Sequence, residues 1–274
     1  MRKRKAFLYT VFSVLAALTA ALTVYRTLGL FASLRENNDM KVFTDGFYRS
    51  DIFFRISVPV FVLISAFVLI LARGKKRTLF APPERRSERV CALVCSIFFM
   101  LCGAASLVLC FTRLEDGMGV SLFAQFVCAL LAFPTAIYFL RVFRGQKGEN
   151  TWIFAMAAPL WAAVLIVTEY FGTYFAFNSP VRVSGNVALA CVILAMLFEA
   201  RSAVEYPCGK FFAAIISALP CFVFIHVLPL VFTLPLWIGG AAAGELVTNI
   251  ALLPLAFYMT MRTFRAASVL AENN

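Results

Sequence analysis

The sequence contains a single histidine, His226, and lacks the motifs that identify the common enzyme classes. One histidine excludes the two-histidine zinc site of H-E-x-x-H proteases and haem bound by two histidines. A Walker A lysine loop and a G-x-G-x-x-G turn are missing, and Ser184-Gly185 is not part of a full G-x-S-x-G elbow. We therefore expect no enzymatic activity, no cofactor and no metal, and leave open only an intramembrane enzyme built from unusual residues.

Charged residues are also scarce in this chain. Asp, Glu, Lys and Arg make up 14% of the residues, whereas soluble proteins carry about 25%. Hydrophobic residues make up 62%, including 30 Phe. A soluble protein of this composition would expose large apolar patches and aggregate, while lipid solvates such side chains. The composition therefore predicts an integral membrane protein.

Eight apolar stretches are long enough to cross a bilayer as helices. A hydrocarbon core of about 30 Å needs about 20 apolar residues per helix, and a backbone in lipid must satisfy its own hydrogen bonds. We predict an all-α integral membrane protein, in which residues 1–274 form one multi-pass domain and a bundle of about eight transmembrane helices. The predicted spans are 6–30, 52–72, 90–111, 120–143, 151–177, 183–200, 211–232 and 236–261.

The basic residues predict the orientation of the bundle. Of the 25 Lys and Arg residues, 18 lie on the side that holds both termini and 7 lie on the other side. The positive-inside rule places both termini in the cytoplasm, which suits a multi-pass protein of the cell membrane. Because the net charge of +11 is spread over loops, we expect contacts with the bilayer and its anionic lipid headgroups and none with nucleic acid. The densest basic loop, 73–89, is an alternative docking site for an acidic partner, such as another membrane protein.

Ionisable and polar side chains inside the spans are costly and therefore mark candidate sites. Glu245 lies near the middle of the eighth predicted span, and Asn249 shares its face one turn later. His226 lies in the outer half of the seventh span. The candidates for binding substrate or a proton gather in the outer half of the membrane: Glu245, His226, Glu169, Asn249, Arg26 and Arg55.

Each of these residues also has a structural interpretation. Glu245 is either a proton or substrate site or a buried, hydrogen-bonded residue that fixes helix packing. Glu169 is either an acid within an interfacial aromatic belt or a partner of an outer arginine. His226 is either a neutral, packed histidine or a proton relay with Glu245. Glu199, at the inner end of the sixth span, is expected to pair with a base from a neighbouring inner loop as a structural lock.

Internal prolines are a second mark of candidate sites, after the polar residues inside the spans, because a proline within a helix removes one of its hydrogen bonds. Pro220 and Pro229 bracket His226, so we expect the seventh span to be a broken helix, as in the binding sites of many transporters.

Two functions fit these patterns. The first is a small-solute transporter or permease component with an outward-facing polar site. The alternative is a non-enzymatic membrane scaffold, sensor or complex subunit. A transporter predicts that the outer polar residues line one connected, water-accessible cavity, whereas a scaffold predicts a solid core without such a cavity.

Overall fold

The computed structural model describes ten parts of the chain. They are residues 2–37, 55–56, 60–61, 83, 85–114, 119–146, 150–171, 180–204, 210–233 and 243–272. Side chains are described in these ranges except at 2–8, 33–37, 180, 210–217, 243–248 and 266–272.

Seven helices and no strand make up the regular structure of this part of the chain. Within the residues whose side chains are described, five of them are long and apolar enough to cross a membrane. The helices are α1 (Arg2–Asn37), α2 (Arg86–Thr112), α3 (Val120–Arg144), α4 (Thr151–Phe171), α5 (Pro180–Ala203), α6 (Lys210–Phe232) and α7 (Ala243–Glu272).

The prediction of an all-helical, multi-pass apolar bundle is confirmed, and this architecture is compatible with a membrane protein. Seven of the eight predicted spans coincide with these helices. The predicted span 52–72 lies mostly outside the described residues, and the four residues described there (Arg55, Ile56, Val60 and Phe61) are helical. The count of eight spans and the cytoplasmic termini therefore stay predictions.

Six of the helices pack in a closed ring. α2 packs against α3, α3 against α4, α4 against α5, α5 against α6 and α6 against α7, which returns to α2. α1 packs on α6 and, over fewer residues, on α7. Consecutive helices from α2 to α7 are connected by short segments and pack side by side, so they run antiparallel. Each end of the bundle therefore contains helix beginnings alternating with helix ends.

The middle of the ring is filled with aromatic side chains. Phe99 lies against Trp161 with ring centroids 5.0 Å apart, and Phe139 lies against Tyr258 at 5.2 Å. All four side chains are fully buried. The interior between the two ends of the bundle is therefore a packed core.

Small residues allow the close approach of α2 and α3. A Cβ atom at Gly103 would lie 3.2 Å from the carbonyl oxygen of Ala129 and 3.2 Å from the Cβ of Ala132. Such contacts are typical of helix pairs in membranes, where close packing replaces the hydrophobic effect as the driving force. The outer face of the bundle carries large exposed apolar side chains, such as Leu28, Leu101 and Val108.

Prolines lie inside four helices without interrupting them. Pro134, Pro159 and Pro254 lie within α3, α4 and α7. The expectation of a broken helix around His226 is wrong, since α6 runs as one α-helix through both Pro220 and Pro229. A proline costs one hydrogen bond, and tight packing against α1, α5 and α7 holds the helix together around that loss. Pro59 lies outside the described residues.

Candidate functional site

A chain of hydrogen bonds joins four helices at one end of the bundle. Arg26 Nη2 on α1 donates to Ser184 Oγ on α5 over 3.0 Å. Ser184 Oγ lies 3.0 Å from His226 Nδ1 on α6. The other ring nitrogen, His226 Nε2, lies 3.0 Å from Asn249 Oδ1 on α7. We call these four residues, together with Glu169 on α4, the histidine cluster.

The histidine cluster is buried among the helices. Arg26 is 2% exposed, Ser184 is 0% exposed and His226 is 4% exposed. A buried cation in an apolar environment is expensive unless polar groups solvate it. The cluster therefore costs the bundle stability that a purely apolar interface would not cost.

The donors and acceptors of this chain admit two arrangements. Arginine only donates, so Ser184 accepts from Arg26 and has one proton of its own to give. That proton can go to His226 Nδ1 or to the carbonyl of Val181, which lies 2.9 Å away. In the first case His226 Nε2 donates to the side-chain oxygen of Asn249. In the second case His226 Nδ1 donates to Ser184 Oγ, and Nε2 accepts a hydrogen bond from the side-chain nitrogen of Asn249, which requires the amide to be turned over. Ser184 is thus the point at which the hydrogen-bond direction can switch.

Glu169 approaches this chain because Gly185 has no side chain. A Cβ atom on Gly185 would lie 3.2 Å from His226 Cε1 and 3.4 Å from Glu169 Oε2. Arg182, which is also buried on α5, donates to the backbone carbonyl of Glu169. The end of α4 is therefore fastened to the beginning of α5 beside the histidine.

The structure brings together four of the six predicted site residues. Arg26, His226 and Asn249 belong to one hydrogen-bonded chain, and Glu169 lies next to it. The side chain of Arg55 is exposed, so it is not one of the buried residues of the cluster. The backbone of Glu245 belongs to α7, one helical turn before Asn249, and its side chain lies outside the described residues.

Sequence reasoning missed Ser184 as the link in this chain and Gly185 as the gap beside it. No pattern distinguishes Ser184 from the other serines of the spans. The adjacent small residues Ser184-Gly185 at the beginning of an apolar span were the one available signal, since such pairs often mark close helix contacts.

A second buried polar group lies at the opposite end of the ring. Glu199 on α5 forms a two-point ion pair with the guanidinium of Arg262 on α7, through Oε1 and Oε2. Tyr138 on α3 donates its hydroxyl to Glu199 Oε2 over 3.2 Å. All three side chains are buried. Glu199 does pair with a base, but that base is Arg262 within α7 and not a residue of a neighbouring loop. The cytoplasmic position of this end stays a prediction.

A neighbouring ion pair extends this group to α2. Arg265 Nη1 lies 2.7 Å from Glu88 Oε2, and the same oxygen accepts the backbone N–H of Arg85 over 3.3 Å. We call Glu88, Tyr138, Glu199, Arg262 and Arg265 the ion-pair cluster. A cavity of about 10 Å³ beside Glu199 and Arg262 has room for about one water molecule.

The two clusters are separated by most of a membrane thickness. Ser184 and Glu199 lie 15 residues apart on α5, which corresponds to about 22 Å along a helix. By the predicted orientation, the histidine cluster lies toward the outer face and the ion-pair cluster toward the cytoplasm.

Within the described side chains, no group of three or more His, Cys, Asp or Glu residues could hold a metal ion. The histidine cluster presents a guanidinium, a hydroxyl, an imidazole, an amide and the carboxylate of Glu169 as its hydrogen-bond groups. Comparison of the chain with protein-family models, with curated proteins and with solved structures gave no match.

Proposed function

We propose that this chain is a small-solute transporter or permease component of the cell membrane, and that the histidine cluster is its solute site. The observation that carries this proposal is the hydrogen-bonded chain from Arg26 through Ser184 and His226 to Asn249. It joins α1, α5, α6 and α7 at a single point. A solute that bound there would contact four helices at once.

Contact with several helices is what a carrier needs. A ligand shifts a conformational equilibrium only through different contacts in the two conformations. A solute that replaces bonds between Arg26, Ser184 and His226 loosens the links among three helices, so binding and helix rearrangement are coupled. On this proposal the structure is the closed conformation, in which Arg26, Ser184, His226 and Asn249 hydrogen-bond to one another.

The ion-pair cluster supplies the barrier at the other end. A carrier must keep one end closed while the other opens, and Glu199, Arg262 and Tyr138 tie α3, α5 and α7 together there. The predicted orientation puts this barrier on the cytoplasmic side and the site on the outer side. The exposed arginines Arg85, Arg86 and Arg144 at this end suit anionic lipid headgroups, which we propose as partners.

The test is solute flux into proteoliposomes. Vesicles with the purified protein are mixed with an isotonic panel of small neutral, cationic and anionic solutes, and swelling is followed by light scattering. We expect at least one solute class to enter faster than in protein-free vesicles. Swelling no faster than in protein-free vesicles for every class would contradict the proposal.

Two serine variants make the test specific. Ser184→Ala removes the centre of the histidine cluster and should abolish most of the flux. Ser96→Ala is the matched control, because Ser96 is another buried serine, which donates to the carbonyl of Ala136 over 2.9 Å and lies outside the cluster. Equal flux through the two variants would remove the histidine cluster as the site.

A second candidate function is a membrane scaffold or complex subunit. It is favoured by the near-complete burial of Arg26, Ser184 and His226, which suits a polar contact that only fixes helix packing. On this alternative the purified protein passes no solute, and the Ser184→Ala and Ser96→Ala variants differ from wild type in stability alone.

A further inference from the structure

We propose that the place where the beginning of α2 meets the end of α3 binds the phosphate of one anionic phospholipid, with Arg89 as its main ligand. This α2–α3 junction consists of Arg86, Arg89, Arg144 and Gly145. The proposal goes beyond loose contact between exposed arginines and headgroups, because it assigns one site to one lipid. It does not depend on transport, since the junction lies at the end of the bundle that holds the ion-pair cluster.

The position of the Arg89 side chain is fixed by a glycine on the neighbouring helix. A Cβ atom on Gly145 would lie 3.1 Å from Nη2 and 3.2 Å from Cζ of Arg89. Gly145 is the C-cap residue of α3 and has a left-handed backbone, with φ of 67°. Because this position has no side chain, the guanidinium can lie directly against the backbone there. The first turn of α2 thus presents a guanidinium at the end of α3.

The buried part of this guanidinium lacks a hydrogen-bond acceptor. Among the described residues, Nε of Arg89 is one of the buried side-chain nitrogen atoms that make no hydrogen bond. The residue as a whole is half-buried, so its charge has lost part of its hydration. A buried donor without an acceptor is costly, and an incoming anion removes that cost. The planar fork of arginine matches the oxygens of a phosphate.

Two exposed arginines stand beside Arg89. Arg86 precedes it by three residues on α2, which places both side chains on one face of the helix. Arg144 adjoins Gly145 at the end of α3. A phosphate that binds Arg89 can therefore receive further charge-assisted hydrogen bonds from both helices.

The described acid of this region faces another helix. Glu88 Oε2 lies 2.7 Å from Arg265 Nη1 on α7. Consecutive residues of a helix do not point the same way, so Glu88 lies toward α7 while Arg89 lies toward α3. Glu84 and Glu149 lie outside the described residues. The carboxylate of Glu88 is thus engaged on one side of α2, and the proposed phosphate contacts the other side.

The surface next to the junction favours a lipid over other phosphates and over an acidic protein. Val90, Val94 and Ile97 are exposed apolar residues of α2. They follow Arg86 at helical spacing and form a row that runs from the arginines toward the middle of the bundle. A phospholipid has the same order, with a charged headgroup followed by acyl chains. A free phosphate or an acidic peptide would match the arginines alone.

The experiment is thermal unfolding of the purified full-length chain in nanodiscs. Phosphatidylcholine discs are the reference, and discs that also contain phosphatidylglycerol are the test. A ligand that binds only the folded state raises Tm. We expect a rise of about 2–4 °C at about five times the half-saturating fraction of phosphatidylglycerol. No rise, or an equal rise when inorganic phosphate is added to phosphatidylcholine discs, would overturn the inference.

Arginine variants locate the effect. Arg89→Gln should remove most of the rise caused by phosphatidylglycerol, and Arg89→Lys should keep part of it, because lysine keeps the charge and loses the fork. Arg201→Gln is the matched control, since it removes the same charge from the last turn of α5, which packs between α4 and α6 at the same end. It should keep the full rise. Equal loss in Arg89→Gln and Arg201→Gln would show diffuse attraction to the leaflet and overturn the site.

A purely structural role of Arg89 gives a different result. A cation at the end of α3 stabilises that helix end, and if this were its only role, Arg89→Gln would lower Tm equally in both kinds of disc. A rise caused by phosphatidylglycerol that stays intact in Arg89→Gln would overturn the inference.

Arg86→Gln keeps the inference testable where Arg89→Gln fails to fold, because Arg86 is exposed. It should keep the Tm of wild type in phosphatidylcholine and lose part of the rise caused by phosphatidylglycerol. A full rise in both Arg86→Gln and Arg89→Lys would contradict a phosphate held by this pair.

The flux measurement separates this inference from the proposed transport. Solute flux without a rise caused by phosphatidylglycerol would overturn the lipid site and leave transport standing. A rise that depends on Arg89, without flux of any solute, would support the lipid site and overturn transport.

Discussion

The two ends of the bundle provide different partners for their buried arginines. At the predicted inner end, Arg262 meets the carboxylate of Glu199, and Arg265 meets Glu88. At the predicted outer end, Arg26 meets a serine hydroxyl that continues to a histidine and an asparagine. The first arrangement matches each arginine with a carboxylate. In the second, the described bonds form a series, with a charge-assisted bond from Arg26 to Ser184 followed by bonds from the histidine ring to Ser184 and Asn249.

This difference indicates which end can change. A buried ion pair loses a great deal when one partner is taken away, because the other charge stays uncompensated. The bonds from His226 to Ser184 and Asn249 are interhelical bonds of a kind that contributes about 0.6 kcal/mol on average in a membrane, so a ligand can replace those two at low cost. We therefore interpret the ion-pair cluster as the fixed end of the bundle and the histidine cluster as the exchangeable end.

The largest expected effect is on the fixed end. Glu199→Gln should lower the free energy of unfolding by about 3–5 kcal/mol, because Arg262 is left buried without its carboxylate. Unfolding in mixed micelles with increasing dodecyl sulfate measures this loss. The double variant Glu199→Leu with Arg262→Met should recover most of it. A loss below about 1 kcal/mol for Glu199→Gln would remove the contrast between the two ends.

The second pair of the fixed end should have a smaller effect. Glu88→Gln weakens a charge-assisted bond to Arg265, which is more exposed than Arg262. We expect a loss of about 1.5–3 kcal/mol in the same unfolding measurement. A loss larger than that of Glu199→Gln would show that the ion pair between α2 and α7 dominates this end instead.

At the exchangeable end, Gly185→Ala tests the close approach of three helices. The added Cβ would press on His226 at 3.2 Å and on Glu169 at 3.4 Å, which should cost about 1–2 kcal/mol of stability and most of the flux. Gly119→Ala is the control, because nothing lies within 4 Å of a Cβ there. Equal flux in the two glycine variants would show that the contact between Gly185 and His226 is irrelevant to the site.

Asn249→Leu should give the smallest loss of stability, about 0.6–1.7 kcal/mol, since Asn249 is half-buried and its bond to His226 is of the ordinary interhelical kind. The same change should reduce flux at least about tenfold, which corresponds to 1.4 kcal/mol on the path of the solute. Unfolding in mixed micelles and vesicle swelling, measured on the same preparation, give the two effects. If the variant keeps wild-type flux, Asn249 does not belong to the solute site, which then consists of Arg26, Ser184 and His226.

Composition and span length predicted the elements of the bundle well. α3 begins at Val120 as predicted and ends at Arg144, one residue later than predicted, where Gly145 takes a left-handed conformation with φ of 67°. α5 is longer at both ends than the predicted 183–200, because Pro180 suits a first helical position and Arg182 finds a polar partner on α4. Apolar length is a property of one segment, so one sequence is enough to read it.

Contacts between helices were much harder to predict. Glu199 was expected to pair with an inner base, but many arginines and lysines lie on that side, and only the packing of α5 near α7 selects Arg262. Arg26, His226 and Asn249 were expected at similar depths in the membrane. Their connection through Ser184 depends on how each helix is rotated about its axis, which cannot be read from a single sequence. The same packing explains why the two prolines of α6 do not break it.

The reaction of a cysteine at position 184 tests the central claim most directly. Ser184→Cys is placed in oriented vesicles and treated with a membrane-impermeant thiol reagent from either face. Both Ser184→Cys and its blank carry Cys208→Ser, because Cys208 follows α5 on the predicted cytoplasmic side, outside the described residues. The seven described cysteines are buried or half-buried in helices. We predict labelling from the predicted outer face only. A folded protein that stays unlabelled from both faces would show that the cluster is a sealed packing contact and would contradict this account.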